Sequence, residues 1–290
     1  MNKSGAILNT KGEVIMPELP EVETIKKALQ GIMPGRIIEK VEVFSPAMRE
    51  PFDPGLGRKL TGKKIMQIRR RGRYLMADLD DQNIILMHLG MSGVIRIEEV
   101  GFCPRRKHEH LHLHLSGGLI YKFECTRRFS IFKCCSGSGT ENLPEECRRL
   151  GAEPLSEEFT GGMLAEMAAG RKVPVKAFLM DNAIVTGIGN IYATETLFAA
   201  RISPGRPAAS LCEAEWGCIV KEAKRILEDA IRAGGSSISD FLHVDGSEGK
   251  FSQQLAVYGK AASPCPRCGT ILTNLKIGGR SSYCCPKCQI

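Results

Sequence analysis

The clearest chemistry in this chain is sulfur chemistry. Cys265-Pro266-Arg267-Cys268 and Cys285-Pro286-Lys287-Cys288 are two C-x-x-C knuckles, at a separation typical of four-cysteine zinc sites. Each tight turn puts two thiolates on one side of a metal, and two turns complete a closed tetrahedral site for one structural Zn²⁺. Free or redox-active thiols are the alternative. Cys284 lies next to the second knuckle and falls outside the C-x-x-C register, so it reads as a spare thiol. Arg267, Lys276, Arg280 and Lys287 ride on the same element and suit a phosphate partner.

A second concentration of reactive types opens at Met16-Pro17-Glu18-Leu19-Pro20-Glu21-Val22-Glu23-Thr24. Pro17 suits the first turn of a helix, and the acids favour a helix N-terminus. The basic run Arg69-Arg70-Arg71-Gly72-Arg73 follows later, and His110, His112 and His114 alternate along one predicted strand face.

Two kinds of element must position these groups. Helical spacing of Val22, Ile25, Ala28, Leu29 and Ile32 predicts a leading helix, ended by Gly31, Pro34 and Gly35. Short β-rich runs follow at 37–44, 64–68, 74–79, 84–88 and 94–97, then a hairpin of 110–115 and 119–123 about Gly117-Gly118. Residues 16–135 therefore read as an antiparallel sandwich or barrel. Residues 136–150 read as a linker. Helices are predicted at 157–169, 173–180, 190–200 and 214–233, the last with Ile219, Ala223, Ile226, Leu227 and Ile231 on one face. The domains expected are 16–135, 151–260 and a zinc element at 261–290, with 1–15 as an appended segment.

The 290 residues carry a net charge of +8, which suits a polyanion but also an ordinary basic protein. The twelve cysteines read as metal ligands or buried thiols, not disulfides. No apolar run reaches the roughly 18 residues of a membrane span. Residues 1–15 lack a signal-peptide core, so the cytoplasm is expected.

Taken together, these motifs resemble the formamidopyrimidine-DNA glycosylase (Fpg) family over nearly all of 16–290. PELPEVET matches the family start and differs from the PEGPE of its sister endonuclease VIII group. His88-Leu89-Gly90-Met91-Ser92-Gly93, Gly187-Ile188-Gly189-Asn190-Ile191-Tyr192-Ala193, Asp245-Gly246 through Gln254 with Val257-Tyr258-Gly259, and the cysteine tail follow in order. The resemblance implies an α+β fold: an N-terminal antiparallel β-sandwich with a leading helix, then a helix–two-turn–helix domain and a zinc hairpin. It implies a monomeric base-excision enzyme acting on double-stranded DNA with oxidised purines or abasic sites. The catalytic residues carried over are Pro17, whose secondary amine attacks C1′ once it is chain-terminal, Glu18 as general acid, and Arg73. Met91, Arg127 and Phe129 match the wedge that replaces a flipped nucleotide. His88, Asn190 and Arg280 match DNA-binding positions, and the 244–252 loop matches the segment that closes over the base. Glu21 matches a family acid. Lys107-His108-Glu109-His110 resembles a strand opening that holds no metal, so no second metal is expected.

Three departures stand out. Pro17 is preceded by other residues, and its nitrogen is then an amide, unless the chain starts at Met16 or is processed. Arg73 stands where the family has a lysine, and a guanidinium keeps charge but cannot shuttle a proton. Cys125 and Ser130 stand where the family has an acid and a glycine. A catalytically silent damage binder, an enzyme for oxidised pyrimidines, and a plain zinc-ribbon nucleic-acid module are the competing readings.

Overall fold

The structure is a computed structural model and describes residues 16–45, 48, 50–101, 104–137, 143–235 and 251–290. The appended segment 1–15 and most of the 244–252 loop lie outside the described residues. The chain divides into two compact units, Met1–Arg148 with Gly234–Lys250, and Arg149–Ala233 with Phe251–Ile290.

The first unit opens with α1 (Leu19–Ile32). There follow β1 (Ile38–Val43), α2 (Leu56–Leu60), β2 (Ile65–Arg71), β3 (Tyr74–Leu79), β4 (Asn83–His88), β5 (Gly93–Glu99), β6 (Glu109–Leu115), β7 (Leu119–Cys125), β8 (Ile131–Ser136) and α3 (Glu145–Arg148). The strands form two antiparallel four-stranded sheets, ordered β1-β6-β7-β5 and β2-β3-β4-β8. One core lies between them, with Leu111, Leu113, Tyr121 and Phe123 from the first sheet and Leu75, Ile85, Met87 and Phe132 from the second. Val22, Ile25 and Leu29 of α1 join that core, as their helical spacing requires.

Several predicted boundaries move. β2 runs on through the basic stretch because its arginines find carboxylates: Arg69 pairs with Asp78 at 2.6 Å and Arg70 with Glu23 at 2.8 Å. α2 was not legible as a helix. Its five residues bury only Leu56 and Leu60, one turn apart. Within the segment read as linker, β8 extends to Ser136, and α3 packs Cys147 inward and pairs Glu146 with Lys133.

The second unit holds α4 (Gly161–Ala168), α5 (Val175–Leu179), α6 (Asn190–Ala199) and α7 (Glu213–Arg232), then the hairpin β9 (Thr273–Ile277) and β10 (Arg280–Cys284). α4 starts later than its hydrophobic pattern suggests because Thr160 caps it, accepting the Met163 N–H at 3.1 Å. α7 buries Ile219, Ala223, Ile226 and Leu227 as predicted, with Ala230 completing the stripe where Ile231 was expected. Trp216 at its start is fully buried against Phe178, ring centroids 5.3 Å apart. No helix among the described residues is long and apolar enough to cross a membrane.

Candidate nucleic-acid active site and zinc centre

In the first unit the reactive residues gather at the head of α1 and at the ends of strands. α1 begins at Leu19, with Glu18 extended before it as N-cap, so Pro20 and not Pro17 is the first-turn proline. Pro17 therefore lies outside the helix and is buried, as are Glu18 and Glu21 at 3% and 2% exposure. Glu21 Oε2 accepts the Glu18 backbone N–H at 2.9 Å, which uses the helix N-terminus to hold one acid and orient the next. Gly235, at φ +86°, lies so close that a Cβ there would come within 3.2 Å of the Glu21 carboxylate.

Arg73 reaches this region from the β2–β3 turn, which Gly72 makes at φ +55°. Its Nη1 lies 3.2 Å from Met16 Sδ. His88 closes β4 opposite Tyr74 of β3, ring centroids 4.8 Å apart. Burial drives the His88 pKa down to about 4, and the Arg73 guanidinium pushes the same way. The Gly90 N–H donates to His88 Nδ1 at 3.1 Å, so the neutral ring carries its proton on Nε2 and presents a donor.

The residues matched to the wedge sit on two loops joined to each other. Met91 is half-buried, whereas Arg127 and Phe129 are exposed, Phe129 by 49%. A ring so exposed is not core, and it is available for stacking. Ser92 Oγ accepts the Arg127 N–H at 2.8 Å. Ser130 Oγ donates to the Leu89 carbonyl at 2.6 Å and lies 3.0 Å from Cys125 Sγ. Cys125 and Ser130, which together make the third departure from the family pattern, thus lie in contact. Gly90 (φ +57°) and Gly93 permit this closeness: a Cβ on Gly90 would meet the Phe129 carbonyl at 2.9 Å, and one on Gly93 would meet Ser130 Oγ at 2.6 Å.

In the second unit, Asn190 is the first residue of α6. Its Oδ1 accepts from Lys176 Nζ at 2.6 Å. Lys176 is fully buried and donates also to the Ser281 carbonyl at 2.8 Å and to Ser282 Oγ at 2.7 Å. One ammonium thus ties the α6 N-terminus to the strand that begins with exposed Arg280. Sequence reading missed Lys176; its one trace is a lysine inside the apolar run Val173-Pro174-Val175-Lys176-Ala177-Phe178-Leu179. Glu195 was also missed. Buried in α6, it accepts the N–H groups of Ala256, Val257 and Tyr258 at 2.8, 2.9 and 2.7 Å, which explains why that segment accompanies the α6 motif.

Cys265, Cys268, Cys285 and Cys288 bring their sulfurs within 4.8 Å of one another. Backbone N–H groups of Arg267 and Cys288 point at Cys265 and Cys285 sulfur, at 3.4 and 3.3 Å. Four convergent sulfurs with N–H support fit one structural zinc, which when bound supplies a cross-link and no reaction chemistry. Cys284 is outside the cluster, on β10 with its sulfur 3.4 Å from Thr273 Oγ1. Arg267, expected to face phosphate, instead caps the end of α6, donating to the Phe198 and Ala199 carbonyls at 2.7 and 3.0 Å.

Comparison with known proteins gives the family. Residues 16–132 match the formamidopyrimidine-DNA glycosylase N-terminal domain, 150–242 its H2TH domain, and 262–290 the zinc finger found in FPG and IleRS. Formamidopyrimidine-DNA glycosylase of Pseudomonas savastanoi pv. phaseolicola is 42% identical over 274 residues, covering 94% of this chain and 100% of the relative. That of Vibrio parahaemolyticus is 41% identical with the same coverage. Lactococcus lactis Fpg in complex with DNA containing an abasic site superposes with a TM-score of 0.85 at 34% identity, over 94% of this chain and 99% of that one. The wild-type Lactococcus lactis enzyme with DNA containing N7-benzyl-Fapy-dG gives 0.86 at 34% identity and the same coverage. The chain belongs to the formamidopyrimidine-DNA glycosylase family.

Proposed function

We propose that this protein is a base-excision DNA glycosylase and abasic-site lyase that removes oxidised purines, such as formamidopyrimidines and 8-oxoguanine, from double-stranded DNA. The observation that carries the reading is the buried Pro17-Glu18 pair heading α1, in a chain whose family match begins at residue 16. Freed of preceding residues, Pro17 offers a secondary amine with an α-amino pKa near 8, partly unprotonated at neutral pH. Its lone pair attacks C1′ of the extruded nucleotide and the base departs. Glu18 protonates the sugar ring oxygen as the ring opens, leaving an iminium between Pro17 and C1′. That electron sink acidifies C2′, so the 3′ phosphate and then the 5′ phosphate are eliminated. Arg73 and the neutral His88 serve the phosphates beside the lesion. Met91, Arg127 and Phe129 occupy the vacated stack, and Asn190 and Arg280 hold phosphate from the second unit. The protein acts as a monomer in the cytoplasm, which sedimentation and cell fractionation would check.

Arg73 in place of the family lysine favours one second reading, a damage binder without turnover. A chain starting at Met16, with the initiator removed, separates the two. Mixed with abasic or 8-oxoguanine duplex and borohydride, it should form a covalent protein–DNA adduct, while the intact 290-residue chain should bind without trapping through Pro17. Glu18→Gln should slow base excision by about two orders of magnitude or more. Tight binding by the short chain with no adduct would leave the silent binder standing.

A further inference from the structure

The sequence puts His110, His112 and His114 on one face of β6 and predicts no metal there. The structure separates them. His110 turns Nε2 to the Cys125 carbonyl oxygen at 2.8 Å, beside the bulge between Glu109 and Leu111. His112 and His114 instead meet Glu42, which pairs with His112 across β1 and β6. One nitrogen of each ring and one Glu42 oxygen lie within 4.8 Å of one another. His114 Nε2 is 2.6 Å from Glu42 Oε2. His112 Nε2 is 2.9 Å from Oε2 of Glu109, a carboxylate at 1% exposure whose other oxygen has no hydrogen-bond partner among the described residues. With that carboxylate accepting, His112 keeps its proton on Nε2 and a lone pair on Nδ1. Such a carboxylate partner is what sets the tautomer and ring orientation of metal-bound histidines. Phe44 buttresses the His112 ring edge-on, centroids 4.6 Å apart.

We propose that His112, His114 and Glu42 form a second metal site, which takes a borderline transition-metal dication such as Zn²⁺, Co²⁺ or Ni²⁺. Two imidazoles and a carboxylate are a donor set these ions favour, and they leave coordination positions for water. The site lies on the face of β6 opposite the Leu111, Leu113 and Leu115 core, in the unit that lacks the cysteine cluster. Lys40 opposes the dication: its Nζ is 2.8 Å from Glu42 Oε1, on a side chain 63% exposed that can swing into water. Lys122, opposite His112 in the β6–β7 register, is held by Glu98 at 2.6 Å.

The test adds Co²⁺ to the full chain with its cysteine site loaded with zinc. One further Co²⁺ per chain should bind with weak visible d–d absorption. The intense thiolate-to-cobalt band that marks exchange into the cysteines should be absent. His114→Gln should weaken this binding at least about tenfold. Glu42→Gln, at a partly exposed position that keeps both rings, should weaken it as well, with an unchanged circular dichroism spectrum and melting curve as the control for folding. Lys40→Ala should tighten it severalfold. No Co²⁺ beyond the cysteine site, or binding indifferent to both His114→Gln and Glu42→Gln, overturns the site.

Discussion

At the scale of single residues, buried charge does the positioning. Lys176 has no exposure, and Asn190, Ser281 and Ser282 all turn oxygens toward its Nζ. Lys176→Met removes one donor and strands three acceptors, at a cost of about 2–3 kcal/mol. The melting temperature should fall accordingly, and affinity for abasic DNA should drop about tenfold or more, because Asn190 and the start of β10 lose their shared anchor. Zinc content should stay the same, since the cysteines are not touched. Calorimetry, metal analysis and a binding isotherm read the three effects separately; intact affinity would reduce Lys176 to a stabilising residue.

Among the elements, the loop after β4 and the loop between β7 and β8 behave as one piece. Ser92 and Ser130 cross-link them, with Cys125 sulfur between the two hydroxyls at 3.6 and 3.0 Å. A cysteine flanked by two serine hydroxyls thus stands where the family pattern has an acid, with Ser130 in place of a glycine. Ser130→Ala leaves the Leu89 carbonyl without that hydroxyl and should destabilise the protein by about 1–3 kcal/mol. It should also impair excision from an intact damaged pair more than cleavage of a preformed abasic site. The wedge acts in extrusion, which costs a few kcal/mol and is cheapest where a base is already missing. Equal losses on the two substrates would disconnect Ser130 from the wedge.

For the molecule as a whole, the second unit depends on its metal. Its terminal core cluster counts Cys265 and Cys285 among its own members, beside Phe198, Val257, Leu272 and Tyr283. A segment this short cannot hold a core unaided. Cys268→Ser should therefore lose zinc and DNA binding together. In the zinc-loaded protein, the logarithm of affinity should fall linearly with the logarithm of salt, and Arg280→Ala should lower that slope by about one unit. An unchanged slope would remove Arg280 from the phosphate contacts.

Local pattern was enough for much of this. Period-two and period-3.6 spacing located α1, β1 to β7 and the helices α4 to α7, because one buried face per element is a requirement each segment meets on its own, but it did not locate β8, β9 or β10. The C-x-x-C pairs located the zinc for the same reason: ligand geometry within a knuckle is set by adjacent residues. The order of motifs carried the family. Folding alone decided the rest, which consists of contacts between residues far apart in the chain. Lys176 meets Ser282 across 106 positions, and Glu42 meets His114 across 72. A bulge of a single residue parts His110 from His112, though strict alternation joins them. Arg267 turned out to cap a helix because Phe198 and Ala199 end α6 beside it. Neither spacing nor composition encodes which carboxylate or carbonyl a buried cation will find; close packing of distant segments does.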